Sequence, residues 1–245
     1  MDRPLPDGPR AFVDLHTHSS ASFDSLADPR SMLEKARRIG LTHLAITDHE
    51  RIDGALRARD LAIDGISVIV GEEIKSRDGD LLGLFLERAV PPGLSAADTA
   101  AAVHEQGGIV GLPHPFDGFR SSGGSQAGAE QGVLEQLAAM VDYVETHNAR
   151  AYRDANPLAT AYAQRHGLPG VASSDAHSVM EVGIASTVLP GTFRTADELR
   201  ALLPQAEPTP GRASYYVRLG TPCAKLVNRV RGNGRIRPTT GEAGS

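Results

Sequence analysis

Short apolar runs rich in Val, Ile and Leu alternate along the chain with longer amphipathic stretches, a pattern that predicts strands followed by helices. Ala11–His18 reads as a strand, and Pro29–Ile39 as a helix opened by Asp28, with Pro29 in its first turn, and closed at Gly40. The next elements are a strand over His43–His49, a helix over Ile52–Ile63, and strands over Ser67–Lys75 and Leu81–Leu86. Those last two flank Ser76-Arg77-Asp78-Gly79, a turn composition that predicts a hairpin. Further on, helices are expected over Ala96–Gln106, Val133–Met140, Asp154–His166 and Ala196–Leu203. Strands are expected over Ile109–Pro113, Tyr143–Asn148, Gly170–Ser173 and Ile184–Leu189.

Strands alternating with helices of this length imply parallel pairing through right-handed crossovers. About seven such units suit a single α/β domain, a distorted barrel of the TIM-like type, better than an open two-sided sheet. The barrel is expected over residues 11–231, with a tail over 1–10 and a disordered tail over 232–245. Asp117–Gly128 is rich in Gly and Ser and reads as a loop.

Composition changes this picture little. The 245 residues fit one domain, and no run of about 18 apolar residues could span a membrane. The single cysteine, Cys223, excludes an internal disulfide framework and a multi-cysteine metal site. The first ten residues lack the apolar core of a signal peptide, so a cytoplasmic address is expected. The net charge of −5 argues against broad nucleic-acid binding. Arg212–Arg237 nevertheless carries seven basic residues and no acid, a segment expected to be a solvated tail or else a phosphate contact.

The chemistry lies where ligand-type residues fall. His16 and His18 close the first strand, Asp48 and His49 the second, and Glu72 and Glu73 sit late in the third. His114 follows the Ile109–Pro113 strand, Glu145 lies in the next, and Asp175 and His177 follow Gly170–Ser173. In a parallel barrel all C-terminal strand ends open on one face, so these residues are expected to meet there. Mixed imidazole and carboxylate ligands suit Zn, Mn or Fe, and carboxylates can bridge two ions. His43, by contrast, begins a strand and belongs at the opposite end, and His104 and His166 lie on helices.

Five short motifs carry a resemblance. They are Asp14-Leu15-His16-Thr17-His18-Ser19, Ile46-Thr47-Asp48-His49, Gly71-Glu72-Glu73-Ile74, Pro113-His114-Pro115 and Ser174-Asp175-Ala176-His177. In this order they resemble the polymerase-and-histidinol-phosphatase (PHP) family over nearly the whole chain. The resemblance implies a distorted (β/α)7 barrel holding two to three divalent ions. It implies His16, His18, Glu73 and Asp175 as ligands of one metal, with Glu73 bridging to a second that also takes His114. Asp24, His49 and His177 resemble the ligands of a third. Asp48 matches an acid that orients a ligand or acts in proton transfer, so Asp48, His49 and Glu73 form the expected catalytic set. Many relatives have a histidine a few residues after the bridging Glu, and this chain has Asp80 there.

The implied reaction is hydrolysis of a phosphate ester, of a small metabolite or nucleotide, by a metal-bound hydroxide. Arg120, Asn148 and Arg150, near strand-end loops, are the candidates to hold the substrate. Rival readings are an exonuclease or oligonucleotide phosphodiesterase acting on short nucleic acid, another metal-dependent hydrolysis such as that of an amide, and a non-catalytic metal-binding regulatory module.

Overall fold

Among the described residues the eight predicted strands, joined by a short exposed strand that was not predicted, form one nine-stranded sheet that curls into a nearly closed barrel. In the computed structural model, residues 8–117, 132, 134–152, 154–218 and 220–238 are described. The strands are β1 (Arg10–Asp14), β2 (His43–Ile46), β3 (Ser67–Lys75), β4 (Asp80–Leu84), β5 (Ile109–Leu112), β6 (Tyr143–Asn148), β7 (Gly170–Ser173), β8 (Ser186–Pro190) and β9 (Glu207–Thr209). Their order is β7-β6-β5-β4-β3-β2-β1-β8-β9. Pairing is parallel at β1–β2, β2–β3, β5–β6 and β6–β7. The predicted hairpin is present, and it makes β4 antiparallel to both β3 and β5. The expectation of parallel pairing also fails at β8, which runs antiparallel to β1. The four-residue turn Ser76–Gly79 returns the chain beside itself, whereas only a long crossover can restore the parallel sense.

The helices follow the apolar periodicity. Asp28 caps Pro29–Arg38 by accepting from Ser31 N at 3.0 Å, and Met32, Leu33 and Ala36 fill the buried stripe. Asp53–Asp60, Ala96–His104, Ala155–His166 and Ala196–Leu202 each fall within the predicted bounds. The basic segment contains an unpredicted helix, Gly220–Val230, whose buried side carries Ala224 and Asn228. Of the tail expected over 232–245, Asn233 and Arg235 make side-chain hydrogen bonds to the barrel, described below. The expected Asp117–Gly128 loop falls, apart from Asp117, outside the described residues, as does Arg120. No helix among the described residues is long and apolar enough to cross a membrane.

The barrel is completed by side chains where backbone pairing stops. Thr187 Oγ1 of β8 donates to Ala172 O at 2.9 Å and accepts from Ala172 N at 2.8 Å, tying β8 to β7. The Asp14 carboxylate, at the end of β1, accepts from Ser174 N (3.0 Å), Ser174 Oγ (2.5 Å) and Gly183 N (3.0 Å). Thr17, just beyond β1, then bridges Ala176 in parallel. Replacing Thr187 by Val keeps the volume but leaves the buried Ala172 N–H and C=O unpaired. The expected outcome is a loss of about 2–4 kcal/mol, or a melting temperature lower by roughly 4–16 °C, read by calorimetry.

Candidate metal centre

Beyond the ends of β1, β2, β5 and β7, and from within β3, the chain delivers four histidines, His16, His18, His49 and His177, and three carboxylates to one buried cluster, with His114 at its edge. His16 and His18, Asp24, Glu73 and Asp175 are buried, as is His114, whereas His49 and His177 are partly exposed. His16 and His18 are two apart in extended chain and project together, with Nε2 atoms 3.0 Å apart. Glu73 Oε2 lies 3.2 Å from His16 Nε2, 3.3 Å from His18 Nε2 and 3.4 Å from His49 Nδ1. Its other oxygen, Oε1, is 3.3 Å from His114 Nε2. Asp175 Oδ1 is 3.4 Å from His18 Nε2 and 3.7 Å from His16 Nε2. Asp24 Oδ2 stands between His49 Nε2 (3.2 Å) and His177 Nε2 (3.3 Å). Three donor groups result: His18, Asp24, His49 and His177; His16, His18 and Asp175; His16, Glu73 and His114.

This packing fits divalent cations. Lone-pair atoms about 3.0–3.7 Å apart repel unless a cation or shared protons lie among them. Donors around a four-coordinate ion at about 2.0–2.1 Å are separated by roughly 3.3 Å. Imidazole with carboxylate is the donor set that Zn, Mn and Fe share.

Protons occupy the same atoms when no cation does. Burial by itself lowers the His16 pKa, but Glu145 and then Glu73 outweigh it and raise it to about 10. His49 is likewise lowered by burial and raised more strongly by Glu73 and Asp24, to about 9. Burial would raise Asp24, yet His49 and His177 hold it well below the usual carboxylate range. Raised imidazole pKa values mean that acid competes with metal, so affinity should climb with pH up to about 9–10. At pH 8 metal binding should expel roughly two protons, one from each of these rings. Titration calorimetry in buffers of different ionisation heat measures this, and no net release would refute it.

Neighbouring groups fix the ring orientations. Glu145 Oε1 accepts from His16 Nδ1 at 3.0 Å, which turns the Nε2 lone pair into the cluster. Its Oε2 accepts from His114 N at 2.9 Å and from Asn148 Nδ2 at 2.8 Å. The Asp175 carbonyl accepts from His177 Nδ1 at 2.9 Å, directing that Nε2 towards Asp24. Backbone strain collects here too. Glu50, His114 and Asp175 are non-glycine residues in the left-handed region, with φ of 54°, 27° and 51°. Such conformations cost about 1–3 kcal/mol each and persist where the surroundings enforce them.

Several of the expected site residues bond within the protein. Asp48 is buried and spends both oxygens on Ser19, accepting from its N (2.6 Å) and Oγ (2.7 Å), so it braces the turn after His18. Gly54 permits this, because a Cβ there would stand 2.0 Å from Asp48 Oδ2. Asn148, expected to hold substrate, is buried and donates to Glu145 and to Asp175 Oδ2 (3.0 Å). Arg150 is buried as well, donating to Glu181 (2.5 Å) and Thr221 Oγ1 (2.8 Å), where it ties the C-terminal helix to the barrel. Asp80 pairs with Lys75 Nζ at 3.2 Å and belongs to none of the donor groups. Glu72 points to the other face of β3, is fully buried, and accepts from Val90 N at 2.8 Å. Burial pushes its pKa up to about 8. His43 sits at the far end of the barrel, stacked on Phe193. Asp14, Ser19 and Glu50 carry no local sign of their roles, because their partners Ser174, Asp48 and Arg235 lie far away in sequence.

A barrel mouth that buries imidazoles with carboxylates has the make-up of a divalent-metal site. The chain belongs to the PHP family of metal-dependent phosphoesterases: the PHP domain matches residues 14–153 and a PHP-associated region matches 153–207. An uncharacterized protein of Methanocaldococcus jannaschii is 35% identical over 176 residues, covering 71% of this chain and 68% of that one. An error-prone DNA polymerase of Cutibacterium acnes is 30% identical over 92% of this chain, but this chain spans only 23% of the polymerase. Among solved structures, a two-domain protein from Bacteroides vulgatus containing a predicted PHP-like metal-dependent phosphoesterase superposes with a TM-score of 0.70 at 19% identity. It covers 86% of this chain and 68% of its own. The lesion-specific endonuclease Q of Pyrococcus furiosus superposes at 0.59 and 18% identity, over 82% of this chain and 58% of its own.

Proposed function

We propose that this protein hydrolyses phosphate monoesters, of a small metabolite or a nucleotide, at two to three divalent ions of Zn, Mn or Fe. The observation that carries the reading is the sharing of residues among the three donor groups, with His16 in two of them and His18 in two. Because an imidazole nitrogen serves one ion only, neighbouring ions would share the Glu73 carboxylate, whose Oε2 faces His16 and His18 and whose Oε1 faces His114. His16, His18, Glu73 and Asp175 would hold one ion, Glu73 and His114 a second, and Asp24, His49 and His177 a third. When bound, such ions activate water and neutralise charge that builds on the phosphoryl oxygens.

The protein's own contribution is orientation and exclusion of bulk water. Glu145 keeps the proton of His16 on Nδ1, and Asn148 holds Glu145 and Asp175 in a fixed relation. Asp48 and Ser19 set the turn from which His18 projects. Glu73 directs one oxygen to each side of the centre, so its two atoms can serve different ions.

Turnover of a mononucleotide, a short oligonucleotide and an aryl phosphate by metal-loaded protein tests the reading. Faster hydrolysis of the two monoesters supports it. Preference for the internal diesters of the oligonucleotide would instead make the protein a nuclease, and no turnover of any would overturn the enzymatic reading.

A further inference from the structure

The chain does not leave the barrel at the end of the helix Gly220–Val230. Gly232, with φ of 75°, terminates it, and Asn233 N donates back to Asn228 O at 2.8 Å. The chain then turns onto the loop that carries Asp24. Asn228, buried in the helix, donates to Ser22 O (3.1 Å) and Ser25 O (2.9 Å). Asn233 donates to Ala21 O at 2.9 Å and accepts from Arg51 Nη1 at 2.6 Å. Pro238 lies against Gly93, where a Cβ would come within 2.7 Å of it. Residues 232–238 thus form a strap fixed at both ends beside the metal centre.

Arg235 occupies the middle of this strap. Its Nε and Nη2 both donate to Glu50 Oε1, at 3.0 and 2.7 Å, which fixes the plane of the guanidinium. Glu50 is wholly buried on its side chain while Arg235 remains 35% exposed, so part of the guanidinium stays accessible. Nη1 makes no hydrogen bond among the described residues. The guanidinium carbon sits 5.4 Å from the centre of the Phe23 ring, and that ring is 5.0 Å from the ring of His49. Lys225 Nζ, from the helix, is 5.3 Å from the same ring centre. Among the described residues, Arg51 is committed to Asp53, Ala21 and Asn233, and Arg150 to Glu181 and Thr221.

We propose that Arg235, held by Glu50 and backed by Phe23, binds the non-reacting oxygens of the substrate phosphoryl group. This inference rests on the phosphoesterase reading. A buried carboxylate that fixes one edge of a guanidinium leaves the other edge preorganised for an oxyanion, which a surface ion pair would not require. Glu50 is held in a left-handed conformation to present its carboxylate, a strain that a purely superficial bridge would not sustain. A dianionic monoester gains more from such a fork than a monoanionic diester, so Arg235 selects for terminal phosphate.

The test uses the full chain loaded with Mn and inorganic phosphate as the probe, titrated calorimetrically. Arg235→Ala should weaken phosphate binding at least about tenfold with metal content unchanged, Arg235→Lys should fall between, and Glu50→Gln should weaken it less than Arg235→Ala. Arg229→Ala, an equal change of charge on the exposed side of the helix, should leave binding as in the wild type. With a monoester substrate, KM should rise more than kcat falls, and the rise should be smaller for a diester. Equal phosphate affinity in Arg235→Ala, loss of metal from that variant, or no phosphate binding by the wild type would each overturn the assignment. Absence of turnover would count against the phosphoesterase reading alone, because the phosphate titration needs none.

Discussion

Stripping the protein of divalent metal should reduce phosphoester hydrolysis at least roughly a thousandfold, and adding Mn or Zn should restore it. Metal ions supply several kcal/mol of transition-state charge stabilisation, which is the size of that loss. The described residues offer no substitute of comparable strength. Asp48, the acid best placed by sequence for proton transfer, has both oxygens engaged by Ser19. Dialysis against a chelator, followed by elemental analysis and assay across an added-metal series, makes the measurement. Full activity in protein shown to be free of metal would remove the basis for the proposed chemistry. The metal-free form should remain folded, because the core beneath the site is apolar and continuous from Met32 through Ile74 and Val144.

The second large effect is expected at Glu73. This carboxylate faces His16, His18 and His49 with one oxygen and His114 with the other. Glu73→Gln keeps the volume but removes the charge that these rings, and any cations replacing their protons, require. Turnover should fall by about two to three orders of magnitude, an effect of roughly 3–4 kcal/mol, and bound metal should drop by at least one equivalent. Glu72→Gln is the matched control, since Glu72 lies on the opposite face of β3 and contacts Val90 N. It should leave metal content unchanged. Damage at Glu72 with an unaffected Glu73 would mean that the strand presents its other face to the centre, because neighbouring residues of a strand point oppositely.

Part of this site was legible in the sequence because backbone period and strand direction act locally. His16 and His18 had to project to one side of an extended segment, and the strand-end positions of His49, His114 and Asp175 had to share a barrel mouth. The Asp28-Pro29 cap and the turn between β3 and β4 were equally local, and both formed within a residue or two of their predicted places.

What the tertiary structure decided concerns contacts between distant segments. Asn148 and Arg150 looked available to a substrate because their residue types bind phosphate and their position follows a strand. Only the packing of Glu145, Asp175, Glu181 and Thr221 around them spends their hydrogen bonds internally. Asp80 carried a plausible ligand type at a plausible place, but register sets it opposite Lys75 rather than among the imidazoles. Arg235 was one of seven basic residues in a segment with no other distinguishing mark. Its position beside Phe23 and Glu50 arises from a left-handed turn at Gly232 and two asparagines that dock 200 residues away in sequence. Local propensity selects the strands, helices and strand-end histidines, whereas partner choice for a charged group depends on which surfaces the fold brings within about 3 Å of it.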